Sequence, residues 1–369
     1  MKVGIDARFY GPSGKGIGRY TQKLIESLEK LDSNNEYFIF LNQEGFDSYQ
    51  PANSRFHKIL VNIPWYSVKE QLLLPKILKQ YQLDLMHFLH FNVPLLYQGR
   101  FVVTVHDLIH LKFNPRGSTH SFLRYLIKYW LYRMVSSSTV KRSSRIITVS
   151  EFVKKQIIDY YKVEPKKINV TYEATFMSLN DQSLKIKNLP SAIKTPYLLY
   201  VGNAYPHKNL EKLLEAFKVV SITDNIYLVL VGKKDYFYQV LEKTVKNLGL
   251  ENKIIFFGQA SDDDLSMLYQ NALAYIFPSL MEGFGLPGLE AMAHDCPVLS
   301  SNAWSLPEIY GPAALYFNPE SAAEMAETIR TIAHSPEQQE KLKKLGQEQI
   351  KKYSWDKCAQ QTLDVYNNL

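Results

Sequence analysis

Two glutamates enclose a glycine-rich segment in the last third of the chain, and their spacing suits a ligand that carries both hydroxyls and phosphate. Glu282 and Glu290 stand eight positions apart, with Gly283-Phe284-Gly285-Leu286 and Pro287 between them. A carboxylate accepts pairs of hydrogen bonds from hydroxyl groups, and the backbone N–H groups at a helix N-terminus favour phosphate. This one segment could hold both halves of a sugar nucleotide.

The flanking pattern predicts where the two glutamates lie. Leu273–Ser279 reads as a buried strand that ends in a turn, and Pro287 suits the first position of a helix. We therefore predict Glu282 on the loop and Glu290 in the first helical turn. A second interpretation stays open, in which the segment is an ordinary strand-to-helix connection and Glu290 only complements the helix dipole.

A second glycine turn carries a candidate counter-charge. Gly202 and Asn203 follow a predicted strand at 197–201, and Lys208 stands near the start of the next helix. Lysine is a compact cation that suits a diphosphate, although an ordinary surface lysine would fit the same pattern. Gly232 repeats the arrangement of a strand followed by glycine, and the backbone there is predicted to cradle a nucleobase.

The first half of the chain also opens with a glycine-rich loop. Gly11–Arg19 includes Gly14 and Gly16, which let the backbone approach a ligand closely. The spacing matches neither the dinucleotide fingerprint nor the Walker loop, so a purely structural turn remains open. Asp6 and Arg8 precede this loop and are predicted to form an internal ion pair rather than to act in catalysis.

Two polar residues stand at the carboxyl end of another predicted strand, at 101–105, where ligands of parallel sheets bind. His106 can donate to a hydroxyl or a phosphate, and Asp107 can orient it or contact an acceptor hydroxyl. The other histidines of this half show no ligand spacing and are predicted to be structural: His57, His87, His90, His110 and His120.

Composition limits the class of protein. The 369 residues are 46% hydrophobic and 21% charged, which predicts two folded domains and excludes a disordered chain. The net charge of +7 favours phosphate-rich partners, but it is too modest to indicate nucleic-acid binding. Cys296 and Cys358 form no ligand pattern, so the sequence predicts neither a disulfide framework nor a zinc site. The small number of cysteines predicts a cytoplasmic location. No apolar run approaches membrane-spanning length.

Short apolar strands alternate with amphipathic helices along the chain, as is typical of parallel sheets. The rhythm starts at Lys2 and restarts at Tyr197, which predicts an α/β protein with two Rossmann-like, doubly wound domains that face an interdomain cleft. The predicted boundaries are an N-terminal domain at 1–177, a linker at 178–195 and a C-terminal domain at 196–354.

One helical stretch of the first half combines cations with aromatic residues. Arg124–Arg133 has apolar residues at helical spacing with cations between them, and Lys141-Arg142 follows. Such a stretch can lie on an anionic bilayer as a peripheral contact. It can equally be a buried helix whose cations reach solvent along their aliphatic stems.

Together these motifs resemble glycosyltransferase family 4, the retaining enzymes of GT-B fold, over essentially the whole chain. The resemblance rests on the Gly-rich first loop, His106-Asp107-Leu108, Thr148–Phe152, Gly202–Asn209 and the two glutamates. It also includes the terminal Tyr353-Ser354-Trp355, after which the family's last helix, here 355–369, crosses back to the first domain. The opening residues are most similar to bacterial mannosyltransferases of surface-polysaccharide assembly.

The resemblance implies a role for each matching residue. Glu282 would bind donor-sugar hydroxyls, the backbone of Gly283–Leu286 would hold sugar and phosphate, and Glu290 would hold the ribose. His106 would touch the donor sugar, and Lys208 would neutralise the leaving diphosphate. Asp107 and Arg19 are the corresponding acceptor-side candidates.

One position departs from the family pattern. Many relatives have an arginine directly after the glycine that corresponds to Gly202, whereas this chain has Asn203. We expect His207 or Arg19 to supply the second positive charge in its place.

The implied reaction is transfer of a hexose, with mannose from GDP-mannose preferred, onto a saccharide or lipid-linked glycan with retained configuration. No cofactor and no metal ion are expected, since Asp262-Asp263-Asp264 reads as the capped start of a helix rather than a metal site. The alternatives are a UDP-sugar-dependent transferase of the same family, a sugar-nucleotide epimerase or hydrolase, and a partner subunit without catalytic activity.

Overall fold

The chain folds into two compact units. A computed structural model describes residues 1–11, 14–112, 122–176 and 189–369, without the side chains of 15, 112 and 122–128. Unit 1 comprises Met1–Glu173 and Ser354–Leu369, and unit 2 comprises Ala174–Tyr353. Unit 1 therefore gives way to unit 2 four residues before the predicted limit at 177, and most of the predicted linker, 178–188, lies outside the described residues.

Unit 1 is built on a parallel sheet whose seven described strands have the order β3-β2-β1-β4-β5-β6-β7. The strands are β1 (Lys2–Asp6), β2 (Glu36–Leu41), β3 (Phe56–Leu60), β4 (Leu85–Phe88), β5 (Phe101–Val105), β6 (Arg145–Thr148) and β7 (Ile168–Val170). The helices between them are α1 (Lys15–Leu31), α2 (Gln43–Ser48), α3 (Val68–Gln80), α4 (Ile109–Lys112), α5 (Phe122–Arg142) and α6 (Glu151–Tyr161).

Unit 2 repeats the design with six described parallel strands in the order β10-β9-β8-β11-β12-β13. These are β8 (Tyr197–Val201), β9 (Tyr227–Val231), β10 (Ile254–Gly258), β11 (Ala274–Phe277), β12 (Val298–Ser301) and β13 (Ala314–Phe317). The helices are α7 (Leu210–Thr223), α8 (Tyr236–Leu248), α9 (Asp262–Asn271), α10 (Leu286–Ala293), α11 (Leu306–Tyr310), α12 (Ala322–His334) and α13 (Pro336–Ile350), and the chain ends with α14 (Trp355–Asn367) in unit 1.

The sheet of unit 1 is covered on both faces, which explains why its central strands are apolar throughout rather than alternating. On one face, Leu28 of α1 and Leu363 of α14 share a core cluster with Ile39 of β2. On the other face, α3, α5 and α6 pack together against the strands, and their buried contributions are Leu74, Leu78, Val140, Val153 and Ile157. The sheet thus separates two layers of helices.

A buried histidine ties the last helix to the sheet. His87 of β4 is fully buried, its Nδ1 lies 2.6 Å from the hydroxyl of Tyr366, and its Nε2 lies 2.8 Å from Oγ1 of Thr104. The prediction of a structural histidine at this position is confirmed. Burial lowers the pKa of His87 to about 3, and the electrostatic effect of the neighbouring His106 acts in the same direction.

The stability of unit 1 is therefore expected to fall in mild acid. The unfolded state binds a proton on His87 near its usual pKa of 6.5, whereas the folded state stays neutral down to about 3. Stability is lost as the pH falls between these values, by about 2 kcal/mol at around pH 5. Urea unfolding at neutral pH and near pH 5 should show this loss in the native chain and a smaller one in His87→Gln.

His334→Gln is the matched control, because the side chain of this histidine is 69% exposed, and its Nε2 lies 2.6 Å from Asp224. An identical acid dependence in the native chain and His87→Gln would contradict the prediction.

No helix within the described ranges is long and apolar enough to span a bilayer.

Candidate active site

Two loops of unit 2 meet where the strand order of the sheet reverses. The first follows β8 and the second follows β11, which are neighbours in the sheet although two other strands separate them in the chain. The backbone N–H of Leu280 donates to the carbonyl of His207 at 2.8 Å, and the Asn209 side chain donates to the carbonyl of Pro278 at 3.1 Å. Ligands of open parallel sheets bind at this type of switch point.

The structure brings the predicted cation and the predicted sugar-binding carboxylate together. Nζ of Lys208 lies 2.6 Å from Oε1 of Glu282, and their side chains are only 15% and 11% exposed. The ammonium group also stands 5.4 Å from the centre of the Phe277 ring. Lys208 is therefore not an ordinary surface lysine, and the pair presents one positive and one negative group at the switch point.

The helix after the second loop has an N-terminus shaped by glycine. The N-cap residue of α10 is Gly285, which has a left-handed conformation with φ of +108°. Because glycine has no side chain, it cannot cap the N–H groups at the start of the helix. A Cβ at Gly285 would lie 2.5 Å from the hydroxyl oxygen of Tyr310, and a Cβ at Gly288 would lie 2.3 Å from it. Glycine is thus required at both positions, and the start of α10 offers backbone N–H groups of the kind that bind phosphate.

The predicted start of this helix is wrong by one residue, and this places Glu290 outside the first turn. The helix begins at Leu286, so Pro287 is its second residue and Glu290 lies beyond the first turn, in which there is no acidic residue. The cause is the left-handed conformation of Gly285, which ends the loop one residue earlier than the proline indicates. A role for Glu290 as a simple partner of the helix dipole loses its support, because that effect fades after the first turn.

Glu290 is instead held by a polar cluster between two helices. It is 5% exposed, and the hydroxyl of Tyr269 on α9 donates to its Oε2 at 3.3 Å. The ring of His294 stacks on Tyr269 at 5.5 Å, and its Nδ1 lies 2.7 Å from the Glu290 carbonyl. Burial lowers the pKa of His294, so the neutral ring is favoured at this site.

A buried serine that sequence reasoning missed holds the loop around Glu282. Oγ of Ser305 donates to the carbonyl of Glu282 at 2.9 Å and lies 3.4 Å from that of Phe284. Tyr310, also missed, donates to the carbonyl of Gly285 at 2.5 Å. Both residues come from the connection after β12, and no local pattern marks them because their role depends on contacts across the sheet.

Backbone hydrogen bonds connect the glycine-containing ends of β8, β9 and β10. Gly202 donates to the carbonyl of Val231 at 2.9 Å, and Gly232 donates to that of Gly258 at 2.9 Å. A Cβ at Gly232 would lie 2.2 Å from the carbonyl oxygen of Gly202. Close packing of the loops is therefore sufficient to require Gly232, and its predicted contact with a nucleobase stays a prediction.

The contacts of Asn203 stabilise its own loop, and they do not supply the function of the arginine found in relatives. Its side-chain oxygen accepts from the backbone of Tyr205 at 3.3 Å, and its carbonyl accepts from the hydroxyl of Tyr200 at 2.6 Å. These contacts shape the turn and bring no positive charge. The expectation that His207 or Arg19 supplies that charge stays a prediction, to be tested by nucleotide affinity in variants of the three residues.

In unit 1, His106 is held by two acceptor oxygens. Its Nδ1 lies 3.1 Å from Oε1 of Glu173, and its Nε2 lies 3.1 Å from the carbonyl of Leu89. The ring also packs edge-on against Tyr20 at 4.7 Å. Glu173 was not predicted from the sequence, since it follows β7 and meets His106 only through the fold.

Of the remaining predicted residues of unit 1, Asp107 and Gly14 have local roles that the structure shows. Oδ1 of Asp107 accepts from the backbone of Ile109 at 3.0 Å and so shapes the turn into α4. A Cβ at Gly14 would lie 2.0 Å from the carbonyl oxygen of Phe9, whereas one at Gly16 would meet nothing within 4 Å. Arg19 lies in α1 and is partly buried. Their contacts with a ligand stay predictions.

Known proteins resemble both units. Residues 14–174 match the family described as Glycosyltransferase Family 4, and residues 181–349 match Glycosyl transferases group 1. The O-antigen chain mannosyltransferase RfbU of Salmonella typhimurium is 30% identical over 337 residues, which cover 89% of this chain and 90% of that protein. The chain belongs to glycosyltransferase family 4. This transferase is also 29% identical to O-antigen chain mannosyltransferase B of Escherichia coli over 374 residues, 96% of each chain.

Solved structures confirm the predicted fold class of the transferase. Sucrose-phosphate synthase from Thermosynechococcus elongatus superposes with a TM-score of 0.78 at 20% identity, covering 100% of this chain and 98% of the other. The prediction of a GT-B protein with two Rossmann-like units is therefore confirmed. The glycosyltransferase assignment from the motifs is confirmed by the family matches.

We expect Gly288→Ala to weaken nucleotide binding by the transferase strongly. The added methyl would lie 2.3 Å from the Tyr310 ring, and this ring is fully buried, so α10 must move. A shift of about 1 Å at the N-terminus of α10 should weaken binding of GDP or UDP by more than about tenfold, because its N–H groups would be misplaced. Isothermal titration calorimetry measures this change.

Gly346→Ala is the control. Its Cβ would lie 3.1 Å from the flexible side chain of Met292 and at an ordinary contact distance of 3.6 Å from the Met292 Cα, so affinity should be unchanged. Normal affinity in Gly288→Ala would show that the N-terminus of α10 does not hold the diphosphate.

Proposed function

We propose that this transferase moves mannose from GDP-mannose onto a saccharide or lipid-linked glycan acceptor during surface-polysaccharide synthesis. The structural observation that carries the proposal is the Lys208–Glu282 pair, 2.6 Å apart at the switch point of unit 2. A cation for a leaving diphosphate and a carboxylate for sugar hydroxyls are the two groups that hexosyl transfer from a sugar nucleotide needs. The choice of mannose is supported by the relatives, which are O-antigen mannosyltransferases.

In this proposal, charge stabilisation accelerates the reaction. Breaking the bond between the anomeric carbon and phosphate leaves positive charge on the sugar and new negative charge on the diphosphate. Lys208 and the N-terminus of α10 stabilise the diphosphate, and Glu282 orients the sugar through its hydroxyls. Glu290 binds the ribose hydroxyls from its position in α10.

Retention of configuration follows if the acceptor attacks the face from which the diphosphate leaves. Glu282 is committed to its ion pair with Lys208, which favours binding of hydroxyls over attack on the anomeric carbon. The departing phosphate oxygen then takes the acceptor proton. The anomeric configuration of the product, read by nuclear magnetic resonance, tests this step.

We further propose that no metal ion takes part. The support is the arrangement of the acidic run at Asp262–Asp264, which begins α9 and makes a capping box with Ser261. Asp264 accepts from the backbone of Ser261 at 3.1 Å and from its hydroxyl at 2.7 Å. Turnover that is unchanged by EDTA would agree with this, and restoration of lost activity by Mg²⁺ or Mn²⁺ would overturn it.

A cytoplasmic location is part of the same proposal. Cys296 and Cys358 are both free thiols and both buried. Free cysteines are typical of proteins that work in a reducing compartment.

The deciding experiment measures release of nucleoside diphosphate by the purified chain from GDP-, UDP-, ADP- and dTDP-sugars. Each donor is offered with and without simple glycosides and lipid-linked glycans as acceptors. We expect GDP-mannose to give release that rises with acceptor and disappears in Glu282→Ala. Preference for a UDP-sugar would correct the donor, and donor binding without any release or transfer would favour a partner subunit.

A further inference from the structure

The helical layer of unit 1 formed by α3, α5 and α6 exposes an unusual amount of apolar side chain. Of the fifteen large hydrophobic residues that are exposed in the described chain, seven lie on α3, on α5 or on the loop at 94–97 between them. We call these the outer apolar surface: Val68, Leu72, Leu73, Leu96, Trp130, Leu131 and Met134. Their exposed fractions run from 43% to 75%. Clustered exposure of this kind marks a surface that binds something.

The loop at 94–97 joins the two helices of this surface. The backbone N–H of Leu95 donates to the side chain of Gln71 on α3 at 2.9 Å. Arg142, at the end of α5, donates to the carbonyl of Leu95 at 2.9 Å and to that of Tyr97. Both helices also pack on the same buried cluster of the sheet. The exposed residues therefore belong to one side of unit 1.

The charge of this surface has one sign. The exposed face of α3 carries Lys69, Lys76 and Lys79, and the single acid of that helix, Glu70, is fully buried against Arg8. The whole of α5, from 122 to 142, contains no Asp or Glu. Apolar side chains and cations thus alternate on both helices without an exposed carboxylate between them.

A groove beside α5 adds an aromatic site for an anion. Its cavity of about 430 Å³ is lined by Trp130, Arg133, Met134, Ser137, Lys141, Tyr160 and Tyr161. The Arg133 guanidinium lies 5.2 Å from the Trp130 ring and 5.9 Å from the Tyr160 ring. Aromatic faces hold the guanidinium in place while its donors remain suited to a phosphate.

We propose that the outer apolar surface docks unit 1 onto a bilayer that contains anionic phospholipid. Trp130, Leu131 and the leucines of α3 enter the boundary between head groups and acyl chains. Arg133, Lys141 and the lysines of α3 contact lipid phosphates. Helices that combine a cationic and an apolar exposed face bind anionic interfaces in this way.

The single sign of the charge on this surface favours lipid over a second copy of the chain. A symmetric dimer through this face would place the lysines of α3 and the cations of α5 opposite like charges. An anionic bilayer instead neutralises all of them at once. The proposal extends the notion of a peripheral contact by α5 to α3 and the loop at 94–97, which the sequence did not indicate.

The test is flotation of the full chain with phosphatidylcholine vesicles that contain or lack phosphatidylglycerol, at low and high salt. We expect binding only with phosphatidylglycerol, at least about tenfold weaker at high salt. Met134→Glu on α5 and Leu72→Glu on α3 should each weaken binding by about tenfold or more. A blue shift of tryptophan fluorescence on binding, absent in Trp130→Phe, would place Trp130 in the interface.

Ile222→Glu is the matched control, because Ile222 is an exposed apolar residue of α7 in unit 2, 78% exposed. It should float like the native chain, and thermal unfolding checks that all variants are folded. Absence of native flotation, or equal loss in Ile222→Glu and Leu72→Glu, would overturn the proposal. A dimer in light scattering that Leu72→Glu dissociates, without flotation, would assign the surface to a second copy. Flotation is read without turnover, so it is independent of the donor assignment.

Discussion

Replacing Lys208 by alanine is expected to lower turnover by about a hundredfold to a thousandfold at saturating donor. The substitution removes the cation next to the leaving diphosphate, and it leaves Glu282, whose side chain is only 11% exposed, without its partner at 2.6 Å. The repulsion between this carboxylate and the diphosphate adds to the loss. Steady-state release of nucleoside diphosphate measures the effect.

Lys212→Ala is the control that distinguishes an effect of the Lys208 site from the loss of an ordinary surface ion pair. Lys212 pairs with Glu215 at the same distance, 2.6 Å, but their side chains are 32% and 54% exposed on α7. Such surface pairs contribute little, so turnover should stay within about twofold of the native value. If Lys208→Ala kept native turnover, or lost no more than Lys212→Ala, the assignment of Lys208 to the diphosphate would be wrong.

The Lys208–Glu282 pair also allows a double-mutant cycle. Glu282→Gln removes the carboxylate charge while keeping a hydrogen-bonding side chain, so it should lessen the repulsion that Lys208→Ala creates. We expect the double variant to be more active than the sum of the two single losses predicts, because the two groups are in direct contact. Strict additivity would indicate that they act separately.

Replacing Arg8 by methionine is expected to destabilise unit 1 by about 3–5 kcal/mol. Arg8 is 1% exposed, and its Nη2 lies 2.7 Å from Asp6 and 2.6 Å from Glu70. Asn92 also donates to Glu70 at 2.6 Å. Without the guanidinium, two carboxylates remain buried beside each other with no counter-charge. Urea unfolding followed by circular dichroism measures the change in free energy.

Neutralising the carboxylates tests the cause of that loss. Burial raises the pKa of Glu70 even though Arg8 acts in the opposite direction. The buried site therefore disfavours the charged form of this side chain, and without Arg8 a neutral side chain is more stable there than an unpaired carboxylate. Asp6→Asn with Glu70→Gln should therefore restore part of the stability of Arg8→Met. Arg330→Met is the control for loss of an arginine, because the Arg330 side chain is 33% exposed and its Nε lies as far as 3.8 Å from Asp224. Equal stability of Arg8→Met and Arg330→Met would contradict the prediction.

The same buried network shows how far sequence reasoning reached. Asp6 and Arg8 were predicted to form an internal ion pair from their positions before the first glycine loop, and the structure confirms the pair. Glu70 and Asn92 were not anticipated, because they enter from α3 and from the loop after β4. Local pattern identifies which charges stand near each other in the chain, whereas a buried charge takes its partners from whichever segments the fold brings to it.

Helix termini show the same limit at a smaller scale. Pro287 correctly indicated that a helix begins beside the glycine segment, but the left-handed Gly285 moved its start to Leu286. The shift of one residue puts Glu290 in the second turn, where Tyr269 of α9 holds it. Proline and glycine mark the neighbourhood of a boundary, and the residue at which the helix begins depends on how the loop packs on Tyr310.

The sequence by itself determined the fold class, because the alternation of strands and helices is a short-range pattern. Its motifs, among them the glycines after strands and the paired glutamates, also carried the resemblance to the family. The sequence also identified Lys208 and Glu282 separately as candidates. Only the tertiary structure placed them 2.6 Å apart, added Ser305 and Tyr310 beneath the loop, and joined Glu173 to His106. The physical reason is that neighbouring strands of a parallel sheet are distant in the chain, so contacts at their carboxyl ends depend on strand order rather than on local sequence.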